Sequence, residues 1–327
     1  MDAGRGHRPE RVLVTGGAGF IGSHVADRYL AEGCRVAVLD DLSTGRRERV
    51  PGDARFLQIE LNDPSLPDVF AEGEFDLVNH HAAQMDVRVS VEDPRFDAKT
   101  NVSGLLNLLE CARRFGVARV VYVSSGGVVY GEPAAIPTPE DHPLLPLSPY
   151  GVTKLAGELY LHYYAVVHGL DYAALRYSNV YGPRQDPHGE AGVVAIFGRC
   201  LLEGRPITIF GDGRQERDYV FVEDVIDANW RVSTLPLPTV EGLTSRAWNI
   251  GTGRGTSVHE LADRLAAIAG RTVDRRSAPP RPGELFRSVL DVSRAADQLG
   301  WRPRVSLDEG LRRTLAHLGE SEFAEAR

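Results

Sequence analysis

The sequence predicts an α/β protein in which a doubly wound parallel sheet is joined by a second, smaller mixed α/β lobe. Three observations predict it. From Arg11 to about Arg176, short apolar runs alternate with helical stretches. The first of these runs leads into a glycine-rich turn that opens a helix. After Asn179 the texture changes to loops rich in Gly, Pro and Asp with shorter elements between them. The candidate strands are Arg11–Thr15, Arg35–Leu39, Phe56–Ile59, Phe75–Asn79, Arg119–Ser125 and Tyr172–Arg176, each near-continuously apolar as strands covered on both faces are. Two long helices are expected between them, Ala98–Phe115 and Pro149–Val167. Both are apolar over more than one stripe, which suits burial against the sheet on one side and against a partner subunit on the other. The second lobe is expected to hold helices at Ala191–Leu202, Val222–Thr234, Val258–Ala269, Ser293–Leu299 and Leu307–Leu318, broken by Gly211-Asp212-Gly213 and by Pro279-Pro280-Arg281-Pro282-Gly283. The expected division is 11–179 for the nucleotide lobe, with a return segment near 218–250, and 180–327 for the second lobe. The tail from Glu320 reads as a frayed end.

At 327 residues and 43% hydrophobic content, the chain can bury a large core. A net charge of -8 without a basic cluster argues against nucleic acid as a partner. Cys34, Cys111 and Cys200 are far apart and odd in number, so neither a disulfide framework nor a metal site is expected, and a reducing cytoplasm fits. No run approaches ~18 apolar residues, so no membrane span is expected, and the polar first ten residues do not read as a signal peptide.

Residues 11–24 read RVLVTGGAGFIGSH: a strand, then Gly16, Gly19 and Gly22, then a helix. The first glycine permits the turn, the second lets a pyrophosphate approach the backbone, and the third lets the helix pack on the strand, so a dinucleotide is the expected ligand. The next strand ends in Asp40, ~20 residues on, where a carboxylate meets the ribose hydroxyls and repels a 2′-phosphate. NAD is therefore expected rather than NADP, although Arg46 and Arg47 leave a case for the latter. Far downstream, Tyr150 and Lys154 stand at i and i+4 on a predicted helix, so phenol and ammonium share a face. A phenol ionises near ~10, and a neighbouring cation is what would favour its phenolate near neutrality.

With TGGAGFIG at 15–22, SSGGVVYG at 124–131, YGVTK at 150–154 and RYSNVYGPRQ at 176–185, the chain resembles the extended short-chain dehydrogenases/reductases, and within them the UDP-glucose 4-epimerases, over residues 11–318. The resemblance implies a catalytic set of Ser125, Tyr150 and Lys154, a tightly held NAD in a Rossmann lobe, a UDP-sugar substrate and a homodimer. It places the cofactor on Gly16, Gly19, Phe20, Ile21, Gly22, Asp40, Asp41, Glu60, Leu61, Ala82, Ala83, Gln84, Asn101, Tyr150, Lys154 and Tyr177. It places the substrate on Gln84, Ser125, Gly126, Tyr150, Asn179, Val193, Thr208, Phe210, Arg217, Tyr219, Arg281 and Glu284, with the arginines suited to a diphosphate by their planar fork.

The chain departs from the family pattern at three points. Many relatives carry the catalytic hydroxyl at position 126, which is Gly126 here, so Ser125 is the expected substitute and Ser124 the fallback. In HHAAQ at 80–84, His81 replaces a residue that is usually apolar, and both histidines read as packing or hydrogen-bonding residues. The 4,6-dehydratases carry an Asp-Glu pair after the hydroxyl residue, whereas this chain has Gly126 and Gly127, which removes the acid and base that elimination needs. Reversible epimerisation at C4 of a UDP-hexose is the expected chemistry, with Ser288 leaving room for N-acetylated sugars. The alternatives are a UDP-glucuronate 4-epimerase or another nucleotide-sugar oxidoreductase of the family, or a non-catalytic NAD-binding protein.

Overall fold

A computed structural model describes residues 7–187, 192–272, 274–280 and 285–325. In chain order the nucleotide lobe begins with β1 (Arg11–Thr15), α1 (Phe20–Ala31), β2 (Arg35–Leu39), β3 (Arg55–Leu57), α2 (Leu66–Gly73) and β4 (Leu77–His80). Next come α3 (Val87–Glu92), α4 (Pro94–Ala98), a π turn at Lys99–Ser103, α5 (Gly104–Arg114), β5 (Arg119–Ser125), α6 (Pro149–His168) and β6 (Asp171–Tyr177). The remainder comprises β7 (Asn179–Tyr181), α7 (Val193–Leu202), β8 (Ile207–Phe210), β9 (Glu216–Phe221), α8 (Val222–Thr234), β10 (Ala247–Ile250), β11 (Gly255–Ser257), α9 (Val258–Ala269), β12 (Arg275–Ala278), β13 (Arg287–Ser288), α10 (Ser293–Leu299) and α11 (Leu307–Glu325).

Seven strands form one sheet in the order β10-β6-β5-β4-β1-β2-β3, and every pair in it is parallel. The continuous apolar runs have a direct cause. Along β1, Val12 and Val14 enter one core with α1 and α8, while Leu13 enters the other with α2, α5 and α6, and all three are fully buried. β10 returns to this sheet beside β6 after the chain has already entered the second lobe. In that lobe β9 is central, antiparallel to β11 and parallel to β7 and β13, and β8 pairs with β12. A third core forms under α7, α9 and α11.

Two readings need correction. The helix expected from Ala98 starts earlier, at Pro94, because Asp93 caps it through the N–H groups of Arg95 and Phe96, and it is interrupted by the π turn before α5. The tail expected to fray from Glu320 instead continues as α11 to Glu325. No helix among the described residues is long and apolar enough to cross a membrane, and Cys34, Cys111 and Cys200 are buried and unpaired.

Candidate active site

The glycine turn after β1 is built by close approach. Gly16 has φ +67°, and a Cβ on it would lie 2.6 Å from the Ala82 backbone nitrogen. A Cβ on Gly22 would lie 2.3 Å from the Gly16 carbonyl oxygen, so Gly16 clears the segment after β4 and Gly22 lets α1 sit on the turn. No side chain caps the start of α1; Gly19 N–H donates to the Gly16 carbonyl at 3.1 Å, and the N–H groups of Phe20 and Ile21 follow in the uncapped first turn.

Asp40, at the end of β2, is buried. One carboxylate oxygen accepts from Ala18 N–H and the other from Leu42 N–H, each at 2.9 Å. Burial pushes its pKa up against these two bonds. Asp41 is exposed and closes its own turn on Ser43. The two arginines that left a case for a 2′-phosphate are engaged elsewhere: Arg46 with Asp186 at 3.9 Å, and Arg47 stacked 4.5 Å from the Phe56 ring centroid. Glu60 is exposed, whereas the Leu61 side chain is buried under Gly104.

After β4, His80 bonds Thr15 Oγ1 through Nδ1 at 2.7 Å and stacks on Tyr122 with ring centroids 5.9 Å apart. Burial, then the Lys154 charge, drive His80 far below its usual pKa and His81 to about 3, so both are neutral packing groups. No group of three or more His, Cys, Asp or Glu suited to a metal occurs among the described residues. Ala82 N–H reaches Thr15 Oγ1 at 3.3 Å, and Ala83 follows it, partly exposed. Gln84 and Asn101 bind each other, Gln84 N–H to Asn101 Oδ1 at 2.8 Å and Asn101 Nδ2 to the Gln84 carbonyl at 2.9 Å. Their side chains thereby shape the wall after β4.

Ser125 ends β5. Ser148 caps α6 by accepting from Gly151 N–H at 3.1 Å, with Pro149 in the first turn, and this sets Tyr150 one turn before Lys154. Tyr150 N–H donates to Ser90 Oγ at 3.2 Å. Burial and then Asp97 push the phenol well above 10, while Ser125 acts on it as a hydrogen-bonding group and pulls the other way. Lys154 does not touch the phenol. Its Nζ donates to the Val123 carbonyl at 2.9 Å and lies 5.8 Å from the Tyr150 ring centroid. Burial lowers it to about 8 against the opposing pull of Asp97.

The hydroxyls near the end of β5 differ in their surroundings. Ser124 is buried and donates to Glu158, so it faces away from the phenol. A Cβ on Gly126 would lie 2.5 Å from Leu290 Cδ1, so a side chain at 126 would require Leu290 to shift. A Cβ on Gly127 would be 3.8 Å from Ser125 Oγ and 3.9 Å from Ser288 Oγ, which places those two hydroxyls around the same open position.

The second lobe brings β13 to this site, with Ser288 in register with Arg217 on β9. Strand alternation turns the next residue, Asp218, inward, where it accepts from Thr252 and Gly253 in the loop after β10 and from Leu290 after β13, tying the two segments together. Asn179 starts β7 in register with Tyr219, and Val193, Thr208 and Phe210 lie at the start of α7 and along β8. The Tyr219 ring is built into the core of the second lobe. The Tyr177 ring lies in the core beside α8, its hydroxyl accepting from Asn229 Nδ2 at 2.6 Å and its carbonyl from Gly126 N–H at 2.9 Å. Arg281 and Glu284 lie outside the described residues.

A model of the NAD dependent epimerase/dehydratase family matches residues 12–251. The chain belongs to this family. A UDP-glucose 4-epimerase of Mycolicibacterium smegmatis is 49% identical over 310 residues, spanning 93% of this chain and 97% of that protein. The crystal structure of a UDP-glucose 4-epimerase from Thermotoga maritima with UDP-glucose superposes with a TM-score of 0.90 at 44% identity, covering 95% of this chain and 99% of that one. A Thermus thermophilus UDP-glucose 4-epimerase in complex with NAD gives 0.88 at 46% identity, covering 94% and 99%.

The residues present fit the family's dinucleotide. A side chain at Gly16 or Gly22 would collide with the backbone of the turn, the start of α1 is uncapped, and Asp40 stands at the end of the neighbouring strand. One group escaped the sequence reading: Asp97, fully buried, bonded to Thr153 between Tyr150 and Lys154 on α6, and acting through its charge on both. Its i,i+4 relation to Asn101 is the signal that could have found it.

Proposed function

We propose that this chain interconverts UDP-glucose and UDP-galactose at C4 with a resident NAD, and that its pocket also admits N-acetylated UDP-hexoses. The observation that carries the reading is that Ser125, Tyr150 and Lys154 meet at the C-terminal edge of the nucleotide sheet with glycines, and no carboxylate, after the hydroxyl residue. NAD+, where bound, would supply a reversible hydride acceptor for C4 of the sugar, the chemistry that a 4-keto intermediate requires, and a positive charge. Tyr150 removes and returns the C4 hydroxyl proton, and Ser125 relays it. The fold alone holds the phenol protonated, so the cationic Lys154 is part of what favours the phenolate in the loaded site. Asn179, Arg217 and Arg281 grip the diphosphate while the sugar turns about its bond to it. The short Ser288 side chain beside Ser125 supports the wider pocket.

Purified protein given UDP-galactose without added cofactor is expected to form UDP-glucose with no net NADH change, and to turn over UDP-N-acetylglucosamine as well. Net NADH consumption, or preference for a UDP-uronate, would overturn the reading.

The reading extends to assembly as a homodimer. Along α6, Val152, Leu159, Tyr163 and Val166 are exposed and follow one helical stripe, as a helix shared between two subunits would. Sedimentation is expected to give about twice the 35.8 kDa chain mass, and a monomer at micromolar concentration would refute the pairing.

A further inference from the structure

Asp97 is fully buried, yet its carboxylate meets only uncharged donors: Gln84 Nε2 at 2.9 Å and Asn101 Nδ2 at 3.1 Å on one oxygen, Thr153 Oγ1 at 2.7 Å on the other. No cation contacts it among the described residues. A buried charge held by neutral donors is unfavourable unless an opposite charge shares the same low-dielectric space. Thr153 precedes Lys154 on α6, and the Lys154 side chain is likewise almost fully buried.

The other groups around Lys154 leave Asp97 as its balance. From the end of β4 come His80 and His81, both neutral. From β5 comes Tyr122, whose ring centroid is 5.2 Å from Nζ, and from α6 comes Tyr150; burial holds both phenols protonated. Glu158, one turn further along α6, is taken by Arg176.

We infer that Asp97 is a positioning residue, a fixed counter-charge that keeps Lys154 cationic inside the catalytic pocket. It acts through Lys154 and Tyr150 without touching substrate. The sign is defined for both. A negative charge raises the pKa of a neighbouring ammonium and of a neighbouring phenol alike, so its loss moves both downward.

Asp97→Asn isolates the charge. The amide oxygen can keep Gln84 and Asn101, and the amide nitrogen can donate to Thr153, whose hydroxyl already has a second acceptor in the Tyr150 carbonyl at 3.0 Å. The chain has two lysines among its 37 basic side chains, Lys154 and the exposed Lys99. Isotope-labelled lysine therefore gives two side-chain NMR signals, and Lys99→Arg assigns them. In the protein as purified, Lys154 is expected to titrate near 8. In Asp97→Asn it is expected to fall by about one unit or more, with Lys99 unmoved. Thr153→Val, which removes a hydrogen bond but not the charge, is expected to leave the Lys154 midpoint within about a third of that shift. An unchanged midpoint in Asp97→Asn would overturn the inference. So would a wild-type midpoint below neutrality, which requires no variant to fold.

The consequence for turnover rests on the epimerase reading. Both limbs of the kcat/KM profile against pH are expected to move to lower pH in Asp97→Asn. A loss of amplitude with the limbs in place would mark a purely structural residue and refute the inference. If the wild type shows no epimerase activity, it is the functional reading that fails, and the lysine titration still decides the role of Asp97.

Discussion

Replacing Tyr150 with phenylalanine is expected to reduce epimerase turnover by ~10²–10⁴-fold, the range of a general acid–base group, or about 3–5 kcal/mol of transition-state stabilisation. The ring is held by packing and the backbone N–H by Ser90, so the substitution removes the hydroxyl and little else. Ser125 cannot take over. An aliphatic hydroxyl is far less acidic than a phenol, and Ser125 lies at the end of β5 without the i,i+4 relation to Lys154 that Tyr150 has. Cofactor content, read from the fluorescence of retained NAD(H), and the circular dichroism of the fold are expected to match the wild type. More than a few per cent of residual activity, with both of these unchanged, would move the proton transfer to another group.

Arg176→Met is expected to have the largest effect on stability, about 3–5 kcal/mol in urea unfolding. Arg176 and Glu158 are both inaccessible to solvent and meet in a paired fork, Nε to Oε1 at 2.9 Å and Nη2 to Oε2 at 2.6 Å. The second Nη also donates to Tyr130 at 2.9 Å and to the Glu140 carbonyl at 3.1 Å. Burial works against the guanidinium charge, but Glu158 and Tyr130 outweigh it and raise the pKa above its ordinary value. Methionine fills much of the same volume but leaves Glu158 buried with only the Ser124 hydroxyl as a partner. Removing both charges, in Arg176→Met with Glu158→Leu, is expected to recover most of the loss, because an apolar pair pays no desolvation penalty. A single-variant cost below about 1 kcal/mol would mean that solvent reaches the pair.

The large sheet was legible because a parallel strand covered on both faces needs apolar residues at every position, and β1, β2 and β5 have them. The strands of the second lobe were not, although its helices at Val222–Thr234, Val258–Ala269 and Ser293–Leu299 were. β9 opens Glu216-Arg217-Asp218, β12 begins with two arginines, and β13 is two residues long, so their strand character comes from partners far away in sequence. In the site, Tyr150, Lys154 and Ser125 were legible because helical spacing and the end of a strand place them. The burial of the Tyr177 and Tyr219 rings was not legible, because a motif read as a string ignores strand alternation, which turns neighbouring side chains to opposite faces. Asp97 was invisible because an acid in a polar stretch reads as solvated until three donors are seen to enclose it.

The closeness of Leu290 to Gly126 couples the two positions. With Leu290 Cδ1 2.5 Å from where a Cβ would stand, a hydroxyl residue introduced at 126 would require the Leu290 side chain to move aside, at a cost of up to about 1–3 kcal/mol. A smaller residue at 290 would relieve that contact, so a side chain at 126 is expected to be better tolerated together with a shortened residue 290 than alone.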